Sequence, residues 1–478
     1  MNATRNWIVI VLAIAMVGSP AAAADKEGVS CTIYNGGYGV VRETRNLVID
    51  KGGVVKFKDV ASRIDATTVH FKSITDPKAK LLEQNYQYDL VSADKLLKKY
   101  IDSKIEVVCE GKTYSGSLLS FDTRQIVLRE ASGGIVMVQR PDNVRDIRFS
   151  ALPGGLLTRP TLVWLVATEK PGKHLAEVTY QTSGVSWHAE YVAVLNGDDT
   201  ALGLTGWVSF QNNSGKTYTD AKLKFIAGDV RRIQTSRPAL AGAWSMKKRG
   251  SGSSAPMVEK AFFEYHMYTL PRPSTVADSE IKQLEMFAPA KGVKVNKRYL
   301  YNPLGSFRWN YGSRYTDRSY GASGVSKKVN VFIEFENSKD NNLGIPLPAG
   351  KVRVYKQDPD DEALEFIGEE RIDHTPKDEE LSLRIGNAFD IVGERKQTNF
   401  RVESGRHWIQ ETIEIKVRNH KKEAVTVRCK EPLYRWVNWS ITAKSHEYKK
   451  LDSRTIAFDV KVEPDKEAKV TYTVDYTW

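Results

Sequence analysis

The chain has 478 residues and carries 70 Lys and Arg against 58 Asp and Glu, a formal charge of +12. That length suits roughly two to four domains, each large enough to bury a core without covalent staples. Three cysteines are too few for a disulfide framework, and the basic balance excludes an acidic, repelling surface and favours anionic partners.

Residues 1–24 divide into a head with Arg5, an apolar run over 8–17 and a small-residue tail over 19–24 (SPAAAA) ahead of Asp25 and Lys26. This is the pattern of a cleavable secretory signal, and the run falls short of the roughly 20 residues that a spanning helix needs. The expectation is a mature chain starting near Asp25 in the periplasm or outside the cell, without a lipid anchor or transmembrane segment. The anionic partners expected there are acidic polysaccharide, peptidoglycan or lipid headgroups, not nucleic acid, beside the plainer reading that the charge serves solubility.

Residues 25–90 read as a small N-terminal β domain, with short strands at 31–34, 39–41, 46–50, 54–57 and 68–71 separated by Gly-Gly turns. From Ser92, a plausible N-cap, an amphipathic helix leads into five short strands, at 105–109, 116–121, 125–129, 134–139 and 144–149. Residues 91–152 therefore resemble a Sm-like or SH3-like barrel, a docking or spacer module in an exported chain.

Residues 153–400 read as a central β-sandwich region with two insertions. Residues 236–258 are a Gly/Ser/Pro-rich loop. Residues 302–326 interleave Phe307, Trp309, Tyr311, Tyr315 and Tyr320 with Arg308, Arg314 and Arg318 on a Gly/Ser background. Aromatic faces and guanidinium forks stack on sugars or grip acidic polymers, which makes these eight residues a candidate binding element beside the plainer reading of a variable insertion. Residues 401–478 alternate cleanly as an immunoglobulin-like sandwich. The whole is expected to be mainly β, with few helices.

One pattern recurs three times: a β-rich strand runs into an Asn, at Asn212, Asn337 and Asn419, then a polar loop and a second alternating strand. Greek-key sandwiches read this way when one strand face is buried. Cys31, Cys109 and Cys429 each share the apolar phase of a strand, so buried thiols are expected, with a Cys31–Cys109 disulfide as the alternative.

Chemistry-bearing motifs are sparse. There is no Gly-x-Ser-x-Gly, no His-Glu-x-x-His and no phosphate loop. His188, beside Trp187 on a strand, does not read as a base. Asp373, His374 and Asp378, near Glu369 and Glu370, form the densest polar cluster, a weak site candidate against the alternative of an ordinary turn. The acidic run 358–362 (DPDDE) reads as a hairpin cap. Trp436 and Trp439 read as core residues or as a sugar platform. No metal and no cofactor are expected.

Residues 184–191 (GVSWHAEY), 204–208 (LTGWV), 223–230 (LKFIAGDV), 264–270 (EYHMYTL) and 368–377 (GEERIDHTPK) resemble a bacterial family of exported proteins of unknown function. Its C-terminal β domain is shared with mucoidy inhibitor A. The likeness covers most of the mature chain, except that a small barrel stands where the mucoidy-inhibitor form has a long coiled coil. The resemblance implies a β fold in the envelope and brings no catalytic residues. The expected function is a non-enzymatic envelope scaffold that binds a protein or polymer through loops and strand edges; the alternative is a carbohydrate-binding or carbohydrate-active protein.

Overall fold

The computed structural model describes residues 27–88, 92–140, 143–151, 157–228, 230–231, 256–305, 315–321, 325–358, 360–403, 405 and 407–478. The protein is mainly β, with strands gathered into five sheets among these residues. Its one described α-helix, Ala93–Lys99, is capped by Ser92, whose hydroxyl accepts the Lys95 N–H. No described helix is long and apolar enough to cross a membrane.

Four hairpins in succession organise the body. Each leading strand pairs antiparallel with its trailing strand: Gly28–Tyr34 with Tyr38–Ile49, Val185–Leu195 with Ala201–Asn212, and Asn296–Tyr301 with Lys328–Glu336. The fourth joins residues 391–403, the second half of the strand Glu380–Glu403, to Trp408–Asn419. From the second hairpin on, the trailing strand turns a corner and sends a return strand back to the preceding hairpin. Tyr218–Ala227 thus lies parallel to Gly28–Tyr34, Gly350–Gln357 to Val185–Leu195, and Val425–Pro432 to Asn296–Tyr301. Each of the first three units is thus locked to its successor by the strand that the successor sends back.

An asparagine makes each corner, and each is fully buried. Asn212 Nδ2 donates to the carbonyls of Lys216 and Ala277, while its Oδ1 accepts from the Ser214 N–H and hydroxyl. Asn337 Nδ2 donates to Ile345 and Pro376 carbonyls, and its Oδ1 accepts from Gly344. Asn419 Nδ2 donates to Glu423 and Val462 carbonyls, and its Oδ1 accepts from Lys421. A carboxamide is suited to this position because it presents donors and an acceptor on one short side chain, satisfying turn and neighbouring strand together.

The expected domain borders do not separate the sheets. Gly28–Tyr34, Tyr38–Ile49 and Ile64–Ser73 share an eight-stranded sheet with Gly172–Ser183 and Tyr218–Ala227, while Val54–Lys58 and Lys80–Gln87 pair with Thr161–Ala167, so this segment is built into sheets of the central region. The border at 400/401 falls inside the strand Glu380–Glu403, and the C-terminal strands share a nine-stranded sheet with Asn296–Tyr301 and Lys328–Glu336. The ladders that cross these borders join segments far apart in sequence, which alternation cannot reveal. The small barrel has its own five-stranded sheet, in which Val144–Arg148 returns beside Lys104–Cys109, and its own core around Leu97, Val107 and Leu128.

All three cysteines are free thiols; Cys31 and Cys429 are buried and Cys109 is partly so. Burial pushes the Cys31 and Cys429 thiols well above their usual pKa, leaving them inert small hydrophobes.

Candidate functional site

Where the second and third units meet, a cleft of about 340 Å³ opens between the end of one sheet and the face of the next. Its floor is apolar, supplied by Val331, Ile333, Ile367 and Ile385, and three lysines, Lys297, Lys356 and Lys421, stand around it. Asp199, in the second hairpin's turn, accepts from Lys297 Nζ and Lys356 Nζ at 2.6 Å each. Burial works against both charges, but the bonds within the triad outweigh it. Asp199 is held below the usual carboxylate range and Lys297 above the usual ammonium value. The Tyr299 ring lies between two ammonium groups, Lys297 Nζ at 5.7 Å and Lys421 Nζ at 5.6 Å.

Phe389 forms one lip. It sits where the register of Glu380–Glu403 shifts from one partner strand to the next, and it is 96% exposed. Asp390 also lines the cleft, so its rim carries three lysines against two carboxylates; an apolar floor, a net positive rim and a projecting aromatic suit an anionic partner carrying an apolar group. Sequence reasoning missed this site because its residues span positions 195 to 421, each unremarkable alone. The sequence signal was faint, because Phe389 falls in the same alternation as Leu381, Leu383 and Ile391 and only its flanks, Asn387 and Asp390, set it apart.

The expected binding loop has a different role at its described end. Phe307, Arg308, Trp309, Tyr311 and Arg314 lie outside the described residues, as do 232–255 of the other insertion. Tyr315 and Tyr320 stack on each other at 3.8 Å, and Arg318 is exposed. The backbone of this segment is pinned from below: Arg435 donates to the carbonyls of Tyr315, Asp317 and Tyr320, and Arg395 to that of Gly321. Both arginines are buried and paired with buried carboxylates, Arg435 Nε with Glu411 at 2.7 Å and Arg395 Nε with Glu431 at 2.9 Å. Tyr472 donates to Glu431 and Gln397 to Glu411. Glu411 and Glu431 share the apolar phase of their strands, with Ile413/Ile415 and Val427/Cys429, and a charge in that phase was the overlooked signal.

The polar cluster at 373–378 is a turn held by hydrogen bonds. His374 Nδ1 accepts the Ala349 N–H at 3.1 Å, and its Nε2 lies 3.4 Å from Asn35 Nδ2. Asp373 uses its carbonyl to accept the Thr375 hydroxyl, and Asp378, at positive φ, donates its N–H to the Asn337 carbonyl. Among the described residues no three His, Cys, Asp or Glu converge as metal ligands. His188 bonds Glu190 on the strand surface. Two serine hydroxyls lie 2.9 Å from a histidine Nδ1 among the described residues: Ser445 with its neighbour His446, on the exposed surface, and Ser73 with His174. Both residues of the second pair are sealed in the core, and His174 Nε2 donates to the Lys170 carbonyl. Trp436 and Trp439 pack against the C-terminal core.

A family model, described as a domain of unknown function (DUF4139), matches residues 176–478. The chain belongs to this family. The DUF4139 match begins inside the strand Gly172–Ser183 and takes in the second, third and fourth hairpins with all three corner asparagines. The first hairpin, which receives a return strand from within the match, lies before it. No curated protein matches the chain.

Proposed function

We propose that this protein is a non-enzymatic interaction protein of the cell envelope, binding another envelope protein or an acidic polymer where its β units meet. The observation that carries this reading is the junction cleft, with its apolar floor, lysine rim and exposed Phe389. The envelope assignment draws on the secretory pattern of residues 1–24 and on the resemblance to the family that shares its β domain with mucoidy inhibitor A. The carbohydrate alternative draws on the loop aromatics, yet Tyr315 and Tyr320 each spend one face on their mutual stack.

The test is co-sedimentation of the purified chain with membrane vesicles, peptidoglycan and acidic polysaccharide at low and high salt, with a Lys356→Glu/Lys421→Glu variant alongside. Binding that weakens with salt and falls by about tenfold in the variant supports the cleft as the contact. No sedimentation with any fraction, together with turnover of an envelope polymer, overturns the reading in favour of an enzyme.

A further inference from the structure

The fourth hairpin lacks a neighbour that the other three have. A parallel return strand flanks each of the leading strands Gly28–Tyr34, Val185–Leu195 and Asn296–Tyr301. The fourth leading strand, residues 391–403, is paired along one edge with Trp408–Asn419. Along its other edge the ladder with Lys328–Glu336 ends at Val392. Gly393 N–H then bonds the Lys327 carbonyl at 3.0 Å, and among the described residues no strand continues from there. The described strands after Val425–Pro432 pair with Trp408–Asn419, with Val425–Pro432 or with one another, and none of them returns to this edge.

What is tied to this strand instead is the irregular segment 315–321. Arg395, on the strand itself, holds Gly321, and Arg435, stacked over the Phe400 ring at 4.6 Å, holds three further carbonyls. The tie is incomplete. Arg395 Nη2 and Glu431 Oε1 are buried without a hydrogen-bond partner, on side chains only 1% and 0% exposed. An orphaned donor and an orphaned acceptor cost free energy, and a peptide group offers the complement of both.

We infer that the open edge of residues 394–402 accepts an extended segment of a partner protein as an added parallel strand. The added strand takes the place that the chain's own return strands fill in the other three units. Those return strands have 10, 8 and 8 residues and carry apolar side chains at alternate positions, such as Leu223 and Phe225 or Val352 and Val354. The partner segment has the same character, because main-chain bonding to the edge and alternate side chains facing the core set the requirements. Segment 315–321 is the stopper that such a strand displaces. This inference rests on the interaction reading above and names a second contact surface, farther along the strand whose residues 386–390 line the cleft.

The probe is a fluorescein-labelled peptide GKVRVYKQ, copying Gly350–Gln357, titrated into the purified chain and into a Tyr315→Ser/Tyr320→Ser variant that loosens the stopper. Saturable binding is expected, about tenfold tighter in the variant because less of the protein is held closed. Amide exchange across 394–402 is expected to slow when the peptide is bound. Equal binding of a scrambled peptide, protection confined to other strands, or no saturable binding to either protein while both keep a cooperative melt overturns the inference. Because co-sedimentation through the cleft is measured separately, failure here leaves the broader reading standing, and failure there leaves this edge to be judged by the peptide.

Discussion

At the scale of single residues, the protein is held by polar side chains buried where the chain changes sheet. Asn419 is the most instructive. Its carboxamide ties its own turn, through Glu423 and Lys421, to the end of the strand Thr455–Val462 through Val462. Replacing it by Ala removes these bonds and leaves buried backbone groups unpaired, so Asn419→Ala is expected to destabilise the protein by about 2–4 kcal/mol in urea titration. A loss below about 0.5 kcal/mol would mean that water reaches the corner and repairs it. The asparagines were legible because the surrounding pattern repeats. The buried ion pairs were not, since Arg435 between Tyr434 and Trp436 reads as an ordinary surface cation until distant strands close over it.

At the scale of elements, period-2 alternation showed where strands run and which face is inward, but not which strand lies alongside. Val425–Pro432 shows why. Its Val425/Val427/Cys429 phase is plain in sequence, whereas its parallel partner Asn296–Tyr301 lies more than a hundred residues earlier. Its antiparallel neighbour Thr455–Val462 adds a charged pair on the outer face. Arg428 lies opposite Asp459 in register and donates through Nε at 2.7 Å and Nη2 at 3.0 Å, with Lys449 Nζ also at 3.0 Å. Hydrogen bonding from Arg428 lowers the Asp459 pKa from 3.8 to about 2. A carboxyl depressed in the folded state stabilises fully above its unfolded value, and this contribution disappears as pH falls through its folded value. Asp459→Asn should therefore cost about 1 kcal/mol at pH 7, after allowing for solvent screening, with the two proteins converging near pH 2. Urea titrations at pH 7, 4 and 2 check it; a difference that is constant with pH would assign the effect to packing.

At the scale of the whole molecule, interlocking explains why the expected borders at 90 and 400 are not seams: each unit's sheet is incomplete until a later unit returns a strand to it. The small barrel is the exception, and the ladder on either side of it says why. Lys80–Gln87 pairs antiparallel with Thr161–Ala167, bringing Gln87 opposite Thr161, so the barrel hangs from the open end of a hairpin. Residues opposite in such a ladder lie about 5 Å apart, a gap that a two-residue turn closes. The barrel's core, around Leu97, Ile105 and Leu128, is distinct from the cluster that contains Leu162 and Trp164. Replacing residues 89–159 by Asn-Gly is therefore expected to leave the body folded and within about 1 kcal/mol of its original stability, because a shorter loop costs less entropy to close and no shared core is removed. Near-UV circular dichroism and a urea titration of the shortened chain decide it. A cooperative transition with native aromatic signal marks the barrel as an insertion; a molten or aggregated product would show that it supplies packing to the strands it hangs from.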